Sequence, residues 1–143
     1  MTDAKRLAAL EREGEIRRRS PDRARARSLA MAAQKIAHFA CRIPLNSESA
    51  GVVFRELYEC LRQVGDAKLW LCGYEALKHT ASMEALEDEI GQIDYMRLDR
   101  LRTLRHGSNY RGYAISEANA QEILVIWKKW GEKLAEKILS EAQ

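Results

Sequence analysis

Proline is almost missing from this chain, with Pro21 and Pro44 as its only two, and β-branched residues are sparse. Both features argue against proline-rich linkers and strand-dominated folds. Cysteine is scarce as well. The three cysteines, Cys41, Cys60 and Cys72, are odd in number and show no CxxC spacing. They suggest neither a disulfide framework nor a zinc site, and read as small hydrophobes in a reducing compartment. No apolar run approaches the roughly 20 residues that a membrane-spanning helix needs. The first residues are charged and lack the apolar segment of a secretory signal, so a cytoplasmic location is expected. Also missing are a glycine-rich phosphate loop, a pair of catalytic carboxylates and a nucleophile elbow. Enzymes built on those devices are thereby excluded, and no cofactor or metal is expected.

What is present is a helical pattern. The 143 residues suit one domain, and 46% hydrophobic content places the chain among globular proteins. Lys and Arg total 24 against 21 for Asp and Glu, giving a net charge of +3. That is too small to imply nucleic-acid binding by itself, so the distribution of charge matters more. Arginine concentrates in two stretches, Arg17 to Arg27 and Arg97 to Arg111. The first reads as a solvated face, with tracking of an RNA backbone as the alternative.

Nearly every segment has helical periodicity. Asp3 to Gly14 predicts a short first helix, followed by the basic linker Ile16-Arg17-Arg18-Arg19. Ser20-Pro21-Asp22 marks a helix start, with Ser20 as the cap and Pro21 in the first turn. That helix runs to about Arg42 on Leu29, Ala33, Ile36, Ala37 and Ala40, before Pro44. A long helix starts at Asn46 or Ser47 and ends at Gly73. Its apolar face is Val52, Val53, Leu57, Cys60, Leu61, Val64, Leu69, Trp70 and Leu71, and Gly65 within it marks a bend or a close contact. Gly73 to Ser82 reads as a connection, and Ser82 as the cap of a short helix ending near Ile90. Ile93 to His106 forms an arginine-rich helix with Ile93, Met96, Leu101 and Leu104 inward and Gly107 as its breaker. Ser116 caps a final long helix whose stripe is Ala120, Ile123, Trp127, Trp130, Leu134 and Ile138. The sum is an all-α chain, an up-and-down four-helix-type bundle with short extra helices. Residues 1–19 form an N-terminal helix and basic linker, and residues 20–143 form the bundle.

The end of the arginine-rich helix is the densest group of polar side chains. Arg100, Arg102, Arg105 and Arg111 lie there with His106, Asn109 and Tyr110. Helix C-termini favour a cation or two. A larger cluster repels itself and calls for an anionic partner or a structural counter-charge. Arg102 and Arg105 share a helix face. They either bind phosphate, which suits the guanidinium fork, or pair with Asp94, Asp99, Glu56 or Glu59. His106 is either a proton donor or a helix-end cap. Arg97 and Arg100 read as solvated. Asn109 suits a turn after Gly107, and Tyr110 either stacks on a base or packs. His79 reads as structural or exposed, and Trp127 and Trp130 as core.

Four features together resemble the HEPN superfamily of helical domains, over about residues 20 to 140. They are Ser20-Pro21-Asp22-Arg23 with Arg25 and Ser28-Leu29; Glu56-Leu57-Tyr58-Glu59; Leu71-Cys72-Gly73-Tyr74-Glu75 with His79; and Leu101-Arg102-x-Leu104-Arg105 leading to Tyr110-x-Gly112. Catalytic members of that family are metal-independent ribonucleases with an Arg-Asx-x-x-x-His pattern. Here Arg105 matches the arginine, His106 stands at the Asx position and Tyr110 at the histidine. A second register pairs Arg100 with His106. The resemblance implies a homodimer whose shared cleft carries Arg102, Arg105, His106, Asn109 and Tyr110. That cleft would bind RNA or a nucleotide without efficient catalysis. The setting it implies is a toxin–antitoxin or RNA-metabolism and defence system, with a minimal nucleotidyltransferase as partner. The alternative is an endoribonuclease toxin using Arg105 and His106.

Overall fold

The computed structural model describes residues 4–112 and 114–143, and for residues 109–111 the main chain only. The chain is mostly helical, with one small two-stranded sheet. In order the elements are α1 (Ala4–Arg12), β1 (Ile16–Arg18), α2 (Arg23–Ala40), α3 (Ala50–Leu71), β2 (Tyr74–Ala76), α4 (His79–Glu84), α5 (Gln92–Arg111), α6 (Glu117–Ile126), a π-helical segment (Trp127–Gly131) and α7 (Glu132–Glu141). Among the described residues no helix is long and apolar enough to cross a membrane.

The core is organised around α3, which buries Val53, Phe54, Leu57, Leu61 and Val64. Against it lies α2, whose buried face is alanine alone: Ala26, Ala30, Ala33, Ala37 and Ala40. Small side chains at three- and four-residue steps let two helix backbones approach closely. The larger Leu29 and Ile36 sit at the margin of this seam. The start of α2 meets the end of α3, where Asp22 N–H donates to the Trp70 carbonyl at 3.1 Å. The two helices are therefore antiparallel. Helix α2 begins two residues later than the Ser20 reading predicts. Asp22 is its cap and accepts from the Arg25 N–H at 2.9 Å.

The segment expected to be a basic linker is instead strand β1. It pairs antiparallel with β2, bringing Arg17 opposite Glu75. Ile16 is buried there with Leu7, Leu10, Leu69, Tyr74, Ala81 and Ala85 in a second, smaller core. The arginines that read as a solvated face are exposed, and most of them also have partners. Arg17 and Arg19 both bond Glu75, at 2.9 and 3.1 Å. Arg25 stacks on Trp70 at 4.5 Å. Arg23 and Arg27 donate to the carbonyls of Gln143 and Ala142 at the far end of the chain.

Helix α4 starts at His79, so the expected connection contains a strand and a helix, and Ser82 is no cap. Ser82 is fully buried and donates to Asp66 on α3. Gly65 is the close contact that lets this happen, since a Cβ there would stand 1.9 Å from the Ser82 carbonyl oxygen. The buried Lys68 continues the seam, with its ammonium 2.8 Å from the Ala85 carbonyl, 2.9 Å from Asp88 and 3.1 Å from Glu89.

Ser116 caps the last helix as expected, in a reciprocal capping box with Asn119. Ala120, Ile123, Trp127, Leu134 and Ile138 are buried. The helix widens at Trp127–Gly131, and there the indole of Trp127 lies against the bare Gly131, where a Cβ would fall 2.2 Å from the ring. All three cysteines are unpaired. Burial pushes the Cys60 thiol up to about 12 and raises Cys41 and Cys72 as well. They are neutral packing groups.

One carboxyl pair makes stability depend on pH. Burial, and then the facing carboxyl of Glu15, raises Glu84 to about 7, and Glu15 Oε2 is itself buried with no partner among the described residues. Glu13 adds negative charge and Arg6 opposes it. The unfolded chain loses this proton near the ordinary glutamate value of 4.5 and the folded chain holds it to about 7. Stability therefore falls as pH rises through that window. Glu84→Gln should raise the melting temperature at pH 8, leave it nearly unchanged at pH 4.5, and flatten the profile between. An equal shift at both pH values would refute the assignment.

Candidate functional site

Helix α5 lies antiparallel to α6, with Arg100 reaching Glu122 at 2.5 Å and Asp94 reaching Trp130 at 2.8 Å. Its buried face is only in part the one the sequence predicts, for Leu101 is buried and Leu104 packs against the core as expected. Leu98 and Leu101 point in, whereas Ile93 and Met96 are 71% and 65% exposed. At that end the inward residue is Asp94, which is buried. It accepts from the indole of Trp130 at 2.8 Å and pairs with Lys129 at 3.0 Å and Arg97 at 3.2 Å. The Trp130 bond, followed by Lys129, holds the Asp94 carboxyl below the usual aspartate range. This carboxylate docks α5 onto the π-helical segment.

The helix also does not stop at Gly107. It runs to Arg111 and ends at Gly112, which adopts φ +70° and donates its N–H to the Gly107 carbonyl. Left-handed backbone favours glycine. Gly107 keeps an ordinary φ and is buried, so its cost within the helix is only about 1 kcal/mol relative to Ala. The side chains of Asn109 and Tyr110 lie outside the described residues, as does Tyr113.

The α5 arginines answer their own repulsion unequally. Arg97 and Arg100, expected to be solvated, pair with Asp94 and Glu122, yet both remain 55% exposed. Exposed pairs of this kind contribute little. Arg102 pairs with Asp99 one turn earlier at 3.1 Å. Arg105 is different. Its guanidinium stacks on the ring of Tyr58 at 4.8 Å, and Tyr58 in turn stacks on Phe54 with centroids 6.2 Å apart. The nearest carboxylate, Glu59, stands 3.8 Å away, beyond hydrogen-bond length. Arg105 Nε is buried and has no acceptor among the described residues. This arginine is held in place by packing, and among the described residues its Nε is left without an acceptor.

Arg62 holds one oxygen of Glu59, Oε1, and the other, Oε2, faces Arg105. Arg62 bonds Glu59 through both Nε, at 2.8 Å, and Nη2, and reaches Asp66 at 3.2 Å through Nη1. Burial raises the Glu59 pKa, but Arg62, with Arg105 and His79 behind it, outweighs this and holds the carboxyl below the ordinary range. Burial raises the Tyr58 pKa, against the pull of Arg105 and Arg102. Beyond Arg62 a polar pocket of about 120 Å³ is lined by Asp66, Lys78, His79 and Ser82. His106 is exposed. As the immediate neighbour of Arg105 it projects about 100° around the helix, away from the face on which Arg105 packs. Among the described residues no group of three or more His, Cys, Asp or Glu could hold a metal ion.

The site therefore joins Arg105, with Arg102 beside it, to Tyr58, Glu59 and Arg62 of α3. Tyr58 and Arg62 were not singled out from sequence as site residues. Their signal was local: Glu59, Arg62 and Asp66 are spaced three and four apart, as in an intrahelical chain of ion pairs. No family model matches the chain, and neither a curated protein nor a solved structure matches it.

Proposed function

We propose that this chain is a HEPN-like four-helix-type domain that binds RNA or a nucleotide through Arg105 and does not cut it efficiently. The observation that carries the reading is the state of Arg105: fixed on Tyr58, with a single carboxylate at 3.8 Å and a buried Nε lacking an acceptor among the described residues. Fork-shaped donors on a rigid support suit a phosphate. The divergence of His106 from the Arg105 face speaks for binding over acid–base cleavage by those two residues. Exposed Ile93 and Met96 on the same helix offer apolar surface for the homodimer that the family resemblance implies. A minimal nucleotidyltransferase is the partner class implied by the same resemblance.

The test is fluorescence anisotropy with a labelled single-stranded RNA, with unlabelled nucleotide as competitor. Binding should weaken as salt rises. Arg105→Ala should weaken it by about tenfold or more, the loss expected for a hydrogen bond to a charged group. Arg102→Ala, whose side chain has its own counter-ion, should cost less. The RNA should stay intact in EDTA. Cleavage that disappears in Arg105→Ala and His106→Ala would establish the nuclease alternative instead. Binding of neither RNA nor nucleotide would end both readings.

A further inference from the structure

The Glu59 carboxylate stands between two arginines and is held unequally. Arg62 grips Glu59 Oε1 with two donors of its guanidinium, one at 2.8 Å, and so holds the carboxylate on its own side, while Arg105 stands 3.8 Å from Oε2. Arg62 is itself anchored from the other side. Its Nη1 reaches Asp66 at 3.2 Å, and Asp66 accepts from the fully buried Ser82. Glu59, Arg62 and Asp66 all belong to α3, so the chain of contacts is set by one rigid helix. Ser82 comes from α4 and Arg105 from α5.

From this geometry we infer that Arg62 is a positioning residue, which keeps Glu59 from neutralising Arg105 and so leaves Arg105 open to an anionic ligand. The inference rests on the reading of Arg105 as a phosphate-binding group. Its logic is competition. A carboxylate beside an arginine is an internal rival of any incoming phosphate. A rival already held by two charge-assisted bonds can yield Arg105 without being left unpaired. Removing Arg62 would leave Glu59 with Arg105 as its nearest cation. The carboxylate would then close on it and repel the ligand. Arg62 acts through Glu59 and need not touch the ligand at all.

A double-mutant cycle on the full chain tests this, read by anisotropy with a labelled single-stranded RNA. Arg62→Gln should weaken binding by about tenfold, within the usual range of coupling between contacting residues. Glu59→Gln alone should tighten it. Adding Glu59→Gln to Arg62→Gln should restore wild-type affinity or better, so the gain from Glu59→Gln is larger in the Arg62→Gln background. A merely structural loss would not be repaired by a second substitution. Simple loss of positive charge is controlled by Arg55→Gln on the exposed side of α3, which should change affinity far less. Arg62→Lys keeps the charge without the fork. It covers the case in which Arg62→Gln misfolds, and should show a smaller loss that Glu59→Gln also reverses. Additive effects, an Arg62→Gln or Arg62→Lys protein that binds like wild type, or equal losses for Arg55→Gln and Arg62→Gln would overturn the positioning role. Those outcomes would leave RNA binding at Arg105 standing. A wild-type protein that binds no RNA, or an Arg105→Ala variant that binds normally, would overturn both.

Discussion

Gly65→Ala should destabilise the protein by on the order of 2–3 kcal/mol, the cost of forcing atoms into a packed interior. The added methyl would meet Ser82 main-chain atoms at 1.9, 2.7 and 3.2 Å. Main chain cannot swing aside as the end of a side chain can, so α4 would have to move off α3. That movement would strain the Ser82–Asp66 bond and the contacts of Lys68 with Ala85 and Asp88. Alanine's better helix propensity, about 1 kcal/mol over glycine, is already smaller than this cost. The effect should also reach the candidate site, because Asp66 anchors Arg62. Urea unfolding followed by circular dichroism measures the stability change. A Gly65→Ala protein as stable as the parent would mean that α4 does not sit on α3 as described.

Trp127→Ala should cost more, about 3–5 kcal/mol, as expected for deleting a large buried aromatic. Trp127 is 1% exposed and heads the fully buried side chains by size. Its ring also lies where a side chain at position 131 would be, within the π-helical segment. The loss is a substantial part of the roughly 5–15 kcal/mol that holds a domain together. Trp130→Phe is the comparison. That ring is only partly buried, and the substitution removes chiefly the bond to Asp94, so a smaller loss of about 1.5–3 kcal/mol is expected for a hydrogen bond to a charged group. Circular dichroism melts distinguish the two. Equal losses would show that the larger ring is not the core element it is taken to be.

The site was legible in outline only. The resemblance singled out Arg105 over Arg97, and the Glu59 counter-charge was among the pairings open to it. The Tyr58 platform and the grip of Arg62 on Glu59 were not foreseen. The platform depends on how α5 meets α3, which no local pattern encodes, whereas the grip is an i,i+3 pair within α3 whose spacing was on the page.

The fold divides along the same line. Period 3.6, the Ser116 cap, the stop at Gly73 and the close contact at Gly65 were readable because each is a local property of a helix or its end. The β1–β2 ribbon was not, since Arg17 and Glu75 are far apart in sequence and neither strand is long enough to show alternation. For helix α5 the inward reading held at Leu101 and Leu104 and failed in the first turns, because its apolar residues do not form one stripe. A buried Asp94, satisfied by Trp130 and Lys129, took the place that Ile93 and Met96 seemed to claim. Sequence alone thus determined that this is a helical protein and where most of its helices lie, because backbone hydrogen bonding and side-chain periodicity are local. Only the tertiary structure decided which face of each helix is inside and which arginine has, among the described residues, a buried donor without an acceptor, because burial and counter-charge are set by residues distant in the chain.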